Sequence, residues 1–204
     1  MALIDYGAGN VCSVHKALEA VGARVRRVRE PAALAGAAKI VLPGVGAFGD
    51  CMDGLRRLGL VEPLRRAVEA GVPLLGICVG MQVLFEEGEE LGRHAGLGLL
   101  PGRVTRFPAD LAARGLKIPH TGWNQIEPAR PHPLLAHLPP GAWAYFNHAY
   151  VCRARPAHTL AVADYGDPFP AVVGQANLLG VQFHPEKSQR VGLQILSNFV
   201  EGQT

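Results

Sequence analysis

The sequence predicts an α/β fold: a mostly parallel twisted sheet flanked by helices, with antiparallel strands added in the second half. Three observations carry this. In the first half, short apolar runs alternate with segments of helical period and meet at glycine-rich turns, as in a parallel sheet. From Gly98 to His184, Pro and Gly recur and the apolar runs shorten, as in antiparallel hairpins. With 204 residues, 49% of them hydrophobic, the chain can build one sizeable core, so residues 1–204 are expected to form a single domain.

Taken in order, Ala2 to Tyr6 reads as a strand and Gly7-Ala8-Gly9-Asn10 as a tight turn. Asn10 is expected to cap a helix carrying Val11, Val14, Leu18 and Val21 on one face, which Gly22 stops. Arg24 to Val28 and Lys39 to Leu42 are the next strands, the latter ending at Pro43-Gly44-Val45-Gly46. Helical patterns follow at about Phe48 to Leu58 and Glu62 to Ala70. Leu74, Leu75 and Ile77 suit a strand buried on both faces, with a helix beginning just after Cys78. Shorter strands are expected at Arg103–Phe107, Ile118–Ile126, Trp143–Val151, Thr159–Asp164, Ala171–Gln175 and Leu178–His184, with Gln175-Ala176-Asn177 as a hairpin turn. Ser188 is expected to cap a last helix carrying Val191, Ile195 and Phe199.

Composition narrows the function. A net charge of +3 without a dense basic run argues against nucleic acid as a partner. No apolar run reaches membrane-spanning length, and no signal-type N-terminus is evident. Cys12, Cys51, Cys78 and Cys152 are dispersed, which favours neither a metal site nor a disulfide framework and points to a reducing cytoplasm.

Gly76-Ile77-Cys78-Val79-Gly80 has the nucleophile-elbow pattern, in which small neighbours let the chain bend sharply and present one side chain. The start of a helix there would favour thiolate. A buried cysteine in a glycine-rich turn explains the pentapeptide equally well. A partner is found at His184-Pro185-Glu186, ending a strand, where residues two apart face the same way. An isolated His-x-Glu is more often a solvated surface pair; beside a cysteine elbow it reads as base and orienter. The N–H of Val79 and one from the Val45 loop could serve an oxyanion, although a plain Pro-Gly turn also accounts for that loop.

These residues resemble the class I triad glutamine amidotransferases and, within them, the glutaminase subunits of imidazole glycerol phosphate synthase. The similarity runs end to end, through Ile4 to Asn10, Leu42 to Phe48, Gly76 to Gln82, Gly122-Trp123-Asn124, Tyr145-Phe146 and Gly180 to Ser188. It implies that Cys78, His184 and Glu186 are the triad, that Val45 and Val79 form the oxyanion hole, and that Gly46, Gln82, His148 and Tyr150 hold L-glutamine. It further implies no cofactor, and a (β/α)8 cyclase subunit as heterodimer partner in histidine biosynthesis, met by Asn10, Trp123 and Lys187. In the family the Val45 peptide reorients when the partner binds its nucleotide. For Trp123, burial in this protein's own core is an equal reading, and His120 and His148 read first as structural histidines. Asn147-His148-Ala149 departs from the family's Val-His-Ser or Val-His-Thr and removes a hydroxyl at position 149. The alternatives are the glutaminase of another class I enzyme, such as pyridoxal phosphate synthase, or a non-catalytic glutamine-binding regulator.

Overall fold

The computed structural model describes residues 1–7 and 9–202, so Ala8 of the expected Gly7 to Asn10 turn lies outside the described residues. Strands β1 (Ala2–Ile4), β2 (Arg26–Val28), β3 (Ile40–Gly44) and β4 (Leu74–Cys78) lie parallel in the order β2-β1-β3-β4. Helices α1 (Val11–Ala20), α2 (Phe48–Arg57) and α3 (Val61–Glu69) connect them. Two of them turn an apolar stripe inward, Val11, Val14 and Leu18 from α1 and Cys51, Met52 and Leu55 from α2, while α3 buries Leu64. Every residue of β4 is buried, as its unbroken apolar run requires.

After β4 the chain makes a single helical turn, α4 (Val79–Gln82), and then leaves the sheet. It forms β5 (Phe85–Gly88), β6 (His94–Ala95), β7 (Leu100–Arg106) and the short α5 (Asp110–Ala113). Next come β8 (His120–Pro128), β9 (Ala142–His148), β10 (Tyr150–Ala154), β11 (Thr159–Asp164), β12 (Pro168–Gln175), β13 (Leu178–Val181) and α6 (Gln189–Glu201). The main sheet is ordered β2-β1-β3-β4-β13-β12-β11-β8-β9, while β10-β7-β5-β6 form a second sheet. The single expected strand Trp143–Val151 is therefore two strands in two sheets, divided at Ala149. The β12–β13 hairpin turns at Ala176, whose φ of 49° is left-handed. It returns β13 alongside β4 in parallel, with Gly180 opposite Gly76 and Val181 opposite Ile77.

Two expected caps have other duties. Asn10 makes no side-chain bond to the start of α1; its Nδ2 donates to Glu186 Oε1 at 3.3 Å. Ser188 does not cap α6 with its hydroxyl. The hydroxyl donates to the His184 carbonyl at 2.7 Å and accepts the Tyr145 N–H at 2.9 Å. The His184 N–H in turn donates to the Tyr145 carbonyl at 2.9 Å. Both side chains are short and polar enough to cap, but a buried partner across the fold holds them more firmly than a solvated helix end.

Candidate active site

Three glycines shape the bend that presents Cys78. A Cβ on Gly80 would lie 1.9 Å from the Leu42 carbonyl oxygen, one on Gly44 2.4 Å from the Gly80 nitrogen, and one on Gly76 2.5 Å from the Gly80 oxygen. Backbone therefore packs on backbone where β3, β4 and α4 meet, with Gly44 opposite Cys78. Cys78 itself has φ 54° and ψ −113°, a conformation costing about 1–3 kcal/mol that persists only where surrounding structure enforces it. The helix after it is one turn long, too short to bring the full N-terminal dipole that a longer helix would supply.

His184 and Glu186 are almost fully enclosed, with side chains 3% and 1% exposed, and His184 Nδ1 donates to Glu186 Oε1 at 2.9 Å. They meet because Pro185–Lys187 coils into a 3-10 turn, not because an extended strand alternates, since β13 has ended at Val181. The Asn10 amide reaches the same carboxylate oxygen, while Glu186 Oε2 is buried without a partner among the described residues. Burial opposes charge on His184, but hydrogen bonds to Cys78 and Glu186, and the charges of both, outweigh it and raise the imidazole to about 10. These partners bias the imidazole toward its protonated form.

A cavity of about 80 Å³ opens beside Cys78 and His184, lined by Val45, Gly46, Val79, Gln82, His148 and Tyr150 among others. The larger groove of about 1000 Å³ between Phe107, Leu116 and Tyr165 contains none of these residues. Gly46, at φ 89°, lets the loop after β3 turn over the site. The Val45 N–H lies near the buried Tyr6 hydroxyl, which has no geometrically sound hydrogen bond among the described residues. Burial, reinforced by nearby Cys51 and Cys78, pushes the Tyr6 phenol far up, so it stays neutral.

Gln82 uses its Nε2 twice, donating to the Tyr150 carbonyl at 3.1 Å and to Gln182 Oε1 at 3.2 Å. The Tyr150 carbonyl can only accept, so this nitrogen is fixed as the donor and Gln82 Oε1 is left for the pocket. The same carbonyl takes a bond from His148 Nδ1 at 2.9 Å. His148 Nε2 must then accept from His120 Nδ1, 3.1 Å away. Burial lowers His148 to about 3 and His120 to about 4, so both are neutral and structural, as their apolar surroundings suggest. His120 also stacks on Tyr165 at 4.0 Å.

Sequence reasoning missed Glu90 and Gln182. Glu90 lines the cavity, and its Oε2 accepts the Phe48 N–H at 2.9 Å. Burial pushes its carboxyl up, partly offset by that N–H. No local motif marks it, because it comes from the segment between β5 and β6 whose sheet was not anticipated. Of the expected interface residues, Trp123 is 43% exposed on β8, which overturns the reading that buries it in the core. It stands edge-on to Tyr145, its neighbour on β9, over which Lys187 Nζ lies 5.6 Å from the ring centre. Cys51 and Cys152 are buried and Cys12 is exposed; burial raises Cys51 to about 12 and Cys152 well above the usual thiol value.

The family model "Glutamine amidotransferase class-I" matches residues 2–202. The chain is 54% identical over 200 residues to an imidazole glycerol phosphate synthase subunit HisH from Symbiobacterium thermophilum, covering 98% of this chain and 92% of that one. It is 53% identical to the subunit of the same name from Syntrophotalea carbinolica, covering 98% of each. Among solved structures it resembles a glutamine amidotransferase, with TM-score 0.73, 24% identity and coverage of 96% of this chain and 98% of that one. PurLQS from Thermotoga maritima gives TM-score 0.74 at 19% identity, covering 97% and 95%; likeness at these identities concerns the fold.

Proposed function

This chain belongs to the class I glutamine amidotransferases, within the HisH family of imidazole glycerol phosphate synthase subunits, and from that premise we propose that its Cys78, His184 and Glu186 hydrolyse L-glutamine for a cyclase partner. Its glutamine amidotransferase activity serves histidine biosynthesis. The observation that carries the assignment of roles is the enclosed His184–Glu186 pair facing a cysteine on a strained elbow.

The Cys78 thiolate adds to the side-chain amide carbon of glutamine. His184 gives its proton to the departing nitrogen, releasing ammonia and leaving a glutamyl thioester. Water then attacks that carbon, neutral His184 takes its proton, and the thiolate is expelled with glutamate formed. Glu186 holds the Nδ1–H tautomer and balances the imidazolium. Gln82 Oε1 and the Glu90 carboxylate are acceptors, suited to the α-ammonium group of an amino acid. Backbone at Gly46, His148 and Tyr150 completes the cradle, so the missing hydroxyl at Ala149 does not empty it of polar contacts.

The oxyanion hole is the N–H of Val79 together with that of Val45. On this reading the Val45 peptide turns its N–H to Cys78 during catalysis. That turn is the step a bound (β/α)8 cyclase subunit would favour, through Asn10, Trp123 and Lys187. The assignment is tested in the two-subunit synthase with Cys78→Ala. Glutamine-dependent synthesis should vanish while synthesis from added ammonium salt persists; loss of both would mean that Cys78 holds the fold and not the chemistry.

A further inference from the structure

Gln182 lies two residues before His184, is fully buried, and belongs to no part of the triad or the pocket lining. Its place follows from register. β13 pairs with β4 in parallel, Val181 opposite Ile77, so the next residue along stands beside Cys78. Its backbone N–H is bound to the Ala171 carbonyl of β12 at 2.9 Å, which anchors the chain where it bends away past the end of β13. From there the side-chain Nε2 reaches Cys78 Sγ at 3.8 Å, within range for a donor to sulfur.

Amide orientation is ordinarily ambiguous, but here the neighbours decide it. Two donors, His148 Nδ1 and Gln82 Nε2, converge on the Tyr150 carbonyl, which can only accept. The remaining hydrogen of the Gln82 amide goes to Gln182, so the atom it meets must be Oε1. With Oε1 so engaged, the Gln182 NH2 group has to face the sulfur. A flipped amide would set two nitrogens against each other and turn an oxygen toward Cys78.

We infer that Gln182 is a further catalytic residue, whose amide N–H donates to the Cys78 thiolate and holds it charged and aimed before glutamine arrives. The inference rests on the proposed role of Cys78 as nucleophile. The bond is strongest to the thiolate and weakens once sulfur is acylated, because the charge it answers has gone. It also supplies from a side chain what the one-turn helix after Cys78 is too short to give.

The test measures Cys78 without turnover: alkylation by iodoacetamide as a function of pH, read at the Cys78 peptide by mass spectrometry. Two variants are compared with wild type. Gln182→Glu keeps the size and the acceptor for Gln82 but presents oxygen to the sulfur; Gln182→Met keeps the length and removes both polar ends. Near about pH 6, alkylation should slow about tenfold in Gln182→Met, the worth of one hydrogen bond to a charged group. It should slow further in Gln182→Glu, and all three proteins should converge near about pH 10, where any thiol of ordinary acidity is ionised. Superimposable profiles would overturn the inference, as would slowing by the same factor at every pH, which marks lost access to the sulfur. Because glutamine is absent, either result leaves the assignment of the substrate standing.

Discussion

Replacing Gly80 by Ala tests whether the elbow is held by backbone contact. The new methyl carbon would lie 1.9 Å from the Leu42 carbonyl oxygen, 2.9 Å from its carbon and 3.2 Å from that of Pro43. All three atoms are main chain of β3, so no side chain can swing aside. Even a tight contact demands that β3 and α4 part by roughly 1.3 Å. That movement would open the pairing of Gly44 with Cys78 and carry the Val45 loop off the sulfur. We expect a loss of about 3 kcal/mol, the upper end for overpacking, because the neighbours are rigid. Glutaminase activity in the assembled synthase should fall about 10²-fold, the usual effect of displacing reacting groups by about 1 Å. Urea unfolding followed by circular dichroism gives the first quantity and glutamate release the second. Gly71→Ala is the control: its φ of 85° strains any side chain, but nothing lies within 4 Å of the added carbon. It should cost about 1–2 kcal/mol and leave activity intact. Wild-type activity in Gly80→Ala, or equal activity losses in both variants, would refute the argument.

Glu90→Gln removes the negative charge from the glutamine pocket while keeping an acceptor for the Phe48 N–H. KM for glutamine should rise about 10–100-fold with kcat changed far less, since a hydrogen bond between charged groups is worth about 1.5–3 kcal/mol; an unchanged KM would remove Glu90 from substrate recognition. The neutral His120–His148 pair makes stability acid-sensitive. Both are lowered, to about 4 and about 3, so below their unfolded value of about 6.5 the unfolded chain binds protons first, and stability falls as pH drops toward 4. The slope should approach about 1.4 kcal/mol per pH unit per histidine, and His120→Gln should reduce it; equal slopes in urea unfolding of the two proteins would contradict the buried-neutral assignment.

Cys78 and His184 were legible because each stands in a short pattern whose residue types have few other uses together. Glu186 was legible for a reason that proved inexact: the pair is closed by a 3-10 turn, and only the two-residue spacing was common to both geometries. Asn10 and Ser188 were misread because capping is the default for a short polar side chain before a helix, and no local feature reveals a partner across the fold, Glu186 for Asn10 and the Tyr145 N–H for Ser188. Gln182 lay in plain view inside a recognised motif, but its role depends on which strand lies beside β13 and on how three amide and imidazole groups orient one another. Glu90 had no signal at all. The exposed Trp123 shows the complementary limit, since an aromatic residue on a strand next to the sheet edge has the same alternation whichever face is covered.

The division at Ala149 has a mechanical consequence. The chain passes between the two sheets four times, and the crossings at α4 and at Ala149 carry Gln82, His148 and Tyr150. The glutamine pocket is thus a joint between two stiff plates, with the Val45 loop mounted on one of them. Sliding one plate against the other by an ångström would widen a space of about 80 Å³ without breaking a single strand pairing. It would lengthen first the bond that bridges the joint, that of Gln82 to the Tyr150 carbonyl. The plate edge that bears Trp123 and Tyr145 is tied through Ser188 to the backbone of His184. A load applied from outside at that edge is therefore delivered to the base and to the pocket wall together, as a lever acts on both jaws of a clamp.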